Sequence, residues 1–424
     1  MKSVFTKYLW LLSFLFTLSN SVLANQSIQD TTVLRLDPED SMGGTCNETF
    51  DEITYIPIEN SQRCIVGKIS KLEVLDNYFI VFDRSMDQVL VLNKDGSLHA
   101  KCENIPGLHK NGNMINNFNF NIFGDFTVQS DKQQILIRTN LDKENLFIFN
   151  FDGLFKGKIP LTKKNNGTRF WGFSYLDSNT FVYSVSHSTF EQDSAQSVAK
   201  ELYLTNDFSS NIKSEIPYDH NNIAKAGDVE VNMDGPFYHS SINNSCFFTR
   251  SYDYNIYKID KKGISDVYKV MLPMAYSVPT DFLYNEKKYR SKRRDYLNVN
   301  RQIVYALSNI YSIGPKLFIT INNHQNTNHK IFSYNLKTSA TLSLLNISPD
   351  SLSSFLPFIN KSNSIQGCDG QYIYSSFSSL ELFESREATQ DKKPNYPAVL
   401  KKYFATQNRK SNPVIVQMKP KVNM

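Results

Sequence analysis

The chain has 424 residues, 41% of them hydrophobic and 13% aromatic, a composition that excludes a largely disordered protein. Its 30 Phe and 23 Tyr residues favour strands, so an all-β fold is expected. The formal net charge is +5 and falls to +3 without the two lysines of an N-terminal export signal, which is too small to predict a nucleic-acid or anionic-membrane partner.

The N-terminus has the three parts of a secretory signal peptide. Lys2 and Lys7 form a positive region, residues 8–18 are apolar, and Val22-Leu23-Ala24 is a cleavage site of small residues. The apolar run is shorter than the ~20 residues that a membrane-spanning helix needs. We therefore expect cleavage rather than a membrane anchor.

This signal defines the expected organisation of the chain. Residues 1–24 are the signal peptide, 25–45 a linker, and 46–424 the folded domain. The first cysteine, Cys46, is far from the cleavage site, so a lipoprotein anchor is not expected. The sequence predicts a periplasmic or secreted protein with no transmembrane segment after cleavage.

Five cysteines follow the signal, and an odd number leaves at least one unpaired. They are Cys46, Cys64, Cys102, Cys246 and Cys368. No pair has the CxxC spacing of zinc or thioredoxin-type sites. Cys46 and Cys64 are the favoured pair if a disulfide forms, and Cys246, inside an apolar run, is expected to be a buried small hydrophobe.

One pattern recurs six times: an apolar strand, a polar turn, an alternating strand and a tight turn. The clearest copies are residues 78–97 and 134–153, and in the sixth copy the alternating strand is expected at 398–404. The aligned copies contain Phe79, Ile135, Phe181, Cys246, Leu317 and Tyr372 at the same position.

Six such units predict a six-bladed β-propeller with four-stranded antiparallel blades. Stacking sheets around an axis covers both faces of each sheet and leaves short, protected edges. Strands at 53–58 and 413–417 are left over, and we expect the N-terminal one to complete the last blade and close the ring. The alternatives are a two-sheet sandwich or two separate β domains.

Residues 280–300 interrupt the repeat and predict a short basic helix. Its cations are Lys287, Lys288, Arg290, Lys292, Arg293 and Arg294. One interpretation is a patch for an anionic partner. The other, which we favour, is a solvated helix face with Phe282, Tyr289 and Tyr296 packed on the propeller.

The chain resembles the six-bladed propeller proteins exported by Bacteroidetes, which are related to NHL-type propellers. The stretches that carry the resemblance are 53–59, 78–83, 89–96, 147–153 and 412–416. The resemblance implies a propeller fold and export, and it implies no particular ligand, because a fold does not define a function.

The sequence has no recognised catalytic motif: there is no nucleophile elbow, zinc-protease helix, phosphate-binding glycine loop or EF-hand. His324 and His329 are spaced as neither a helical nor a strand pair of metal ligands, and we expect both at the surface. No cofactor or metal site is predicted.

Three arginines occupy the same register of the repeat, just past the second strand of blades 1, 2 and 4. Arg84, Arg138 and Arg250 are therefore expected on one face, where they form a ring around the channel mouth. Arginine forms forked hydrogen bonds to carboxylate, sulfate or phosphate groups, so one interpretation is a site for an acidic glycan or a peptide carboxylate. The alternative, which we favour, is that each arginine pairs with a neighbouring acid, such as Asp83 or Asp253, and ties blades together.

The favoured function is thus an exported propeller that binds a glycan, peptide or protein. The second hypothesis is a metal-assisted hydrolase or lyase with its site in the channel. The third is a structural subunit of an envelope assembly.

Overall fold

The computed structural model describes residues 31–103, 105, 123–142, 144–161, 170–177, 179–185, 200–217, 228–230, 235–240, 244–360 and 364–422. The predicted signal peptide lies outside these residues. Six sheets contain almost all the strands, and each sheet has a core of four antiparallel strands.

The stretch that the sequence suggests as a linker contains two short strands. β1 (Thr31–Arg35) and β2 (Met42–Thr45) each add a fifth, parallel strand to the outer edge of a blade, the fourth and the fifth respectively. A one-turn helix, α1 (Cys46–Thr49), then leads into β3 (Phe50–Pro57).

The first three blades follow in chain order, each starting with its innermost strand. Blade 1 contains β4 (Lys71–Val74), β5 (Tyr78–Asp83), β6 (Gln88–Asn93) and β7 (Leu98–Cys102). Blade 2 contains β8 (Phe123–Gln129), β9 (Gln134–Thr139), β10 (Asn145–Asn150) and β11 (Phe155–Pro160). Blade 3 contains β12 (Phe170–Asp177), β13 (Thr180–Val185), β14 (Lys200–Thr205) and β15 (Asn211–Pro217).

The last three blades include helices. Blade 4 contains β16 (Phe237–Ser240), β17 (Ser245–Phe248), β18 (Asn255–Asp260) and β19 (Gly263–Met271), and helices α2 (Glu286–Tyr289) and α3 (Arg293–Val299) follow it. Blade 5 contains β20 (Ala306–Ile313), β21 (Lys316–Asn322), β22 (Ile331–Asn335) and β23 (Thr341–Ser348). Blade 6 contains β24 (Gly367–Cys368), β25 (Ile373–Phe377), helices α4 (Ser379–Ala388) and α5 (Ala398–Thr406), and β26 (Val414–Pro420).

The innermost strands of the blades form a closed circle. β8 lies beside β12, and the contacts continue through β16, β20 and β24 to β4. Between blades 1 and 2, Lys71 on β4 forms an ion pair with Asp125 on β8. This arrangement confirms the predicted six-bladed β-propeller.

The hydrophobic core is divided among the blade interfaces. On β5, Phe79 and Val81 pack toward blade 6, while Ile80 and Phe82 pack toward Phe126 of blade 2. Successive side chains of a strand point to opposite faces, so a strand buried on both faces is apolar throughout. This double burial explains why the second strands read as continuous apolar runs.

The N-terminal strand β3 closes the ring, as predicted. It is the outermost strand of blade 6 and pairs antiparallel with β26 from Val414 opposite Pro57 to Pro420 opposite Phe50. The two strands that the repeat left over therefore pair with each other. The first and last parts of the folded chain complete one sheet, which fixes the circle by backbone hydrogen bonds.

The expected strand at 398–404 was wrong, because these residues belong to helix α5. The helix buries Leu400, Tyr403 and Phe404, which have the i, i+3, i+4 spacing of one helix face. Pro397 caps the N-terminus and cannot take part in a central strand. The third strand of blade 6 is β26 instead.

All five cysteines are buried free thiols, so Cys46 and Cys64, the favoured pair if a disulfide formed, are not bonded to each other. Burial raises the pKa of the Cys64 thiol to about 11 and that of Cys102 to about 12. Cys246 lies in the core between blades 3 and 4, which confirms its interpretation as a small buried hydrophobe.

Gly96 provides a test of the ring closure. It has a φ of +85°, and a Cβ at this position would overlap the carbonyl oxygen of Pro57 at the end of β3. Gly235 has a φ of +89° with no atom in the way. In urea unfolding, we expect Gly235→Ala to cost about 1 kcal/mol for the left-handed backbone. Gly96→Ala should cost a further 1–3 kcal/mol or so from displacement of β3. Equal losses would show that β3 does not hold Gly96 in this way.

Candidate ligand-binding site

The three arginines predicted from the repeat lie at one side of the ring. Arg84 follows β5, Arg138 is on β9 and Arg250 follows β17. These second strands run in the same direction, so their C-terminal ends share a face. We call this side, where β5 ends at Asp83 and β9 at Thr139, the insertion face.

Connections between blades also lie on the insertion face. The amide of Tyr252, in the loop after β17, donates to the carbonyl of Tyr305, just before the first strand of blade 5, at 2.7 Å. The ring centroids of Tyr252 and Phe282 are 5.5 Å apart. Loops after second strands therefore contact the segments that join neighbouring blades.

Arg84 and Arg138 belong to adjacent blades, and the positive charge of Arg84 acts on Arg138. Burial lowers the pKa of Arg138; the carboxylate of Asp125 opposes this change, and the positive charge of Arg84 adds to it. Arg84 is exposed, with its guanidinium carbon 5.7 Å from the ring centroid of Phe82. Two of the three predicted arginines therefore lie on neighbouring blades at the same face of the ring.

An ion pair connects the inner strands beside these arginines. Lys71 Nζ lies 3.0 Å from Asp125 Oδ1 and donates to the carbonyl of Phe126 at 2.8 Å. Asp125 is the register partner of Arg138 across β8 and β9. The Asp125 carboxylate therefore forms an ion pair with Lys71 and also stabilises the positive charge of Arg138.

Arg250 is held by two carboxylates. Its Nη1 is 2.5 Å from Glu201 Oε2 on β14 of blade 3, and its Nε is 2.6 Å from Asp253 Oδ2 in its own blade. Burial by itself lowers the pKa of Arg250, but Asp253 and Glu201 raise it by more, so the net change is upward. Arg250 therefore follows the alternative interpretation, in which the arginine pairs with acids and ties two blades together.

Asp83, the other acid considered as a partner, caps the turn after β5. Its carboxylate accepts hydrogen bonds from the Gly67 amide at 2.6 Å and from the Ser85 amide at 2.9 Å, and also from the Ser85 hydroxyl. Because these donors hold the carboxylate, Asp83 fixes the loop that carries Arg84.

The basic segment 280–300 forms α2 and α3 and packs as the favoured interpretation describes. Phe282 and Tyr289 are buried and Tyr296 packs against them. One cation of the segment departs from this description: Arg293 is fully buried, with Nη1 2.5 Å from Asp228 Oδ2 and Nε donating to the Phe282 carbonyl at 2.8 Å. It anchors the helices to the segment before blade 4.

The remaining features considered from the sequence are metal ligands, the two histidines and membrane-spanning segments. Within the described ranges, no three His, Cys, Asp or Glu side chains are arranged to hold a metal ion together. His324 and His329 lie, partly exposed, in the loop between β21 and β22. No helix among the described residues is both long and apolar enough to cross a lipid bilayer.

Sequence reasoning named Asp83 and Asp253 but missed Glu201 and the Lys71–Asp125 pair. Glu201 is 49 positions from Arg250, and no local pattern connects them. For Lys71 and Asp125 there was a weak signal in the sequence, because each is a charged residue in the first strand of its blade. Their pairing depends on the lateral contact between blades, which appears only in the folded ring.

The fold and this site define a six-bladed β-propeller whose loops form a polar, arginine-bearing face. The chain belongs to the family described as domain of unknown function DUF4934, whose model matches residues 39–419. Among curated proteins, none matches the chain.

Solved structures of similar shape come from Bacteroides species. One, a "putative exported protein" of Bacteroides fragilis, is 15% identical, with 92% of this chain and 100% of that chain covered and a TM-score of 0.67. A DUF4221 family member from Bacteroides vulgatus is 9% identical, with 88% and 98% covered and a TM-score of 0.44. At 15% identity, the first likeness supports the fold alone.

Replacing Arg250 tests its role as a tie. Arg250→Gln leaves the buried Glu201 carboxylate without its guanidinium, so we expect the free energy of unfolding to fall by about 2–4 kcal/mol. Arg84→Gln, at an exposed position, should change it by less than about 0.5 kcal/mol. Denaturant unfolding measures both. Adding Glu201→Gln to Arg250→Gln should restore part of the loss; equal effects of the two arginine variants would contradict the tie.

Proposed function

We propose that this protein is an exported binding propeller that takes an anionic ligand, an acidic glycan or a peptide carboxylate, at the insertion-face mouth of the ring. The observation that carries the proposal is that Arg84 and Arg138 lie at the C-terminal ends of the second strands of two adjacent blades, on one face of the ring. Like charges at the ends of neighbouring sheets repel each other, and an anion bound between them relieves that repulsion.

In this proposal the three arginines have different roles. Arg84 and Arg138 contact the ligand by forked hydrogen bonds, whereas Arg250 shapes the mouth through its bonds to Glu201 and Asp253. The Lys71–Asp125 pair keeps the inner strands of blades 1 and 2 in place beneath the arginines. We also propose that the chain is related to NHL-type propellers, as the sequence suggests.

Binding assays with acidic probes test the arginines. We expect the native protein to bind at least one of oligogalacturonate, dextran sulfate and a poly-glutamate peptide, and to ignore neutral dextran. Arg84→Gln/Arg138→Gln should weaken that binding about 100-fold, since two charge-assisted contacts are lost. Calorimetry measures the affinities.

The matched control is Lys132→Gln/Lys262→Gln, which removes two exposed cations from turns at the opposite ends of the strands and leaves the same net charge. Equal binding by the two double variants, or no acidic probe bound by the native protein, would refute the proposed site. Thermal unfolding checks that Arg138→Gln remains folded.

The proposal of export rests on the signal sequence. We expect the protein recovered from the cell envelope or medium to begin at Asn25, because signal peptidase cuts after small residues such as Ala24. N-terminal sequencing measures this. A chain that retains Met1 in the cytoplasmic fraction would rule export out.

A further inference from the structure

Two insertions on the insertion face carry an excess of positive charge. The first insertion, residues 272–305, joins blades 4 and 5; the second insertion, residues 378–413, lies between β25 and β26. The first has seven Lys and Arg against three Asp and Glu, and the second seven against four. Together they are +7, whereas the chain from residue 25 onward is only +3, so its other residues are net negative.

Both insertions contact segments that follow strands of blade 5. Arg301 Nε in the first insertion donates to the His324 carbonyl in the loop after β21 at 3.1 Å. Lys392 Nζ of the second insertion lies 5.3 Å from the ring centroid of Phe355, which follows β23. The basic segments therefore form one arc over blades 4 to 6.

Most cations of this arc are exposed. The exposed residues are Lys287, Lys288, Arg290, Lys292, Arg294, Arg301, Lys392, Lys393, Lys401, Lys402, Arg409 and Lys410. Arg409 pairs with Glu387 and Lys288 with Asp281. The arc nevertheless remains strongly positive, because its acids are fewer than its bases.

Apolar side chains are exposed among these cations. Met274 is 92% exposed and Val299 81% in the first insertion, and Val399 is 51% and Leu380 44% exposed in the second. Exposed apolar residues among lysines and arginines are typical of surfaces that lie on an anionic membrane. A hydrophilic polyanion would gain little from contact with these four side chains, whereas a bilayer interface buries them.

We propose that the insertion face docks peripherally on an anionic lipid bilayer, with the lysines of the two insertions at the headgroup phosphates and the exposed valines in the interface. This proposal uses residues other than Arg84 and Arg138 and does not depend on a ligand at the channel mouth. Electrostatic attraction brings the face to the membrane, and apolar burial adds to the residence of the docked protein.

Vesicle co-sedimentation tests the proposal with the full chain from residue 25. We expect binding to vesicles of equal parts phosphatidylglycerol and phosphatidylcholine, little binding to phosphatidylcholine alone, and a decrease as salt rises. Replacing Lys287, Lys292, Lys401 and Lys402 by Gln should lower partitioning at least about tenfold. The matched control replaces four exposed lysines away from the arc: Lys132, Lys156, Lys158 and Lys262.

A second variant separates a bilayer from a soluble polyanion. Val299→Ser/Val399→Ser should weaken vesicle binding severalfold and leave binding to dextran sulfate unchanged, because only a bilayer buries these side chains. Binding to dextran sulfate without vesicle binding, or equal vesicle binding by the two lysine variants, would overturn the proposal. Arg84→Gln/Arg138→Gln should still bind vesicles, so the proposed ligand site and the membrane face can fail independently.

Discussion

Each blade of this protein is apolar on both faces, and this constraint decides the architecture. On β5, alternate residues pack against blade 6 and blade 2, so neither face of the sheet is left for water. A blade at the end of an open row would expose one such face, at a cost of roughly 25 cal/mol for each Å² of apolar surface. A closed circle removes every end, and the pairing of β3 with β26 keeps it closed.

Polar groups between the blades follow from the same closure. Once blades are packed face to face, a buried charge on one blade needs a partner on its neighbour, since an unpaired buried charge is costly. Lys71 with Asp125 and Arg250 with Glu201 meet this need across two different blade junctions. These two ion pairs therefore have structural roles at the blade junctions.

The distinctive chemistry of the chain lies in its connections. The blades repeat one plan, but the helices α2 to α5 occur in two connections on one face, and these segments carry the positive charge and exposed apolar side chains. A rigid ring with variable loops is suited to recognition, because the loops can change without disturbing the packed sheets. The family match defines what kind of scaffold this is and leaves its ligand open.

The sequence by itself determined the number of blades, the position of their second strands and closure by an N-terminal strand, because local alternation and turn residues repeat along the chain. The sequence analysis missed α5, because the sixth repeat was expected to supply a strand there and the helical spacing of Leu400, Tyr403 and Phe404 was overlooked. Only the tertiary structure decided which charges meet. Glu201 reaches Arg250 through contact between blades, and the weak net charge of the chain concealed a basic arc, since charge totals carry no information about position.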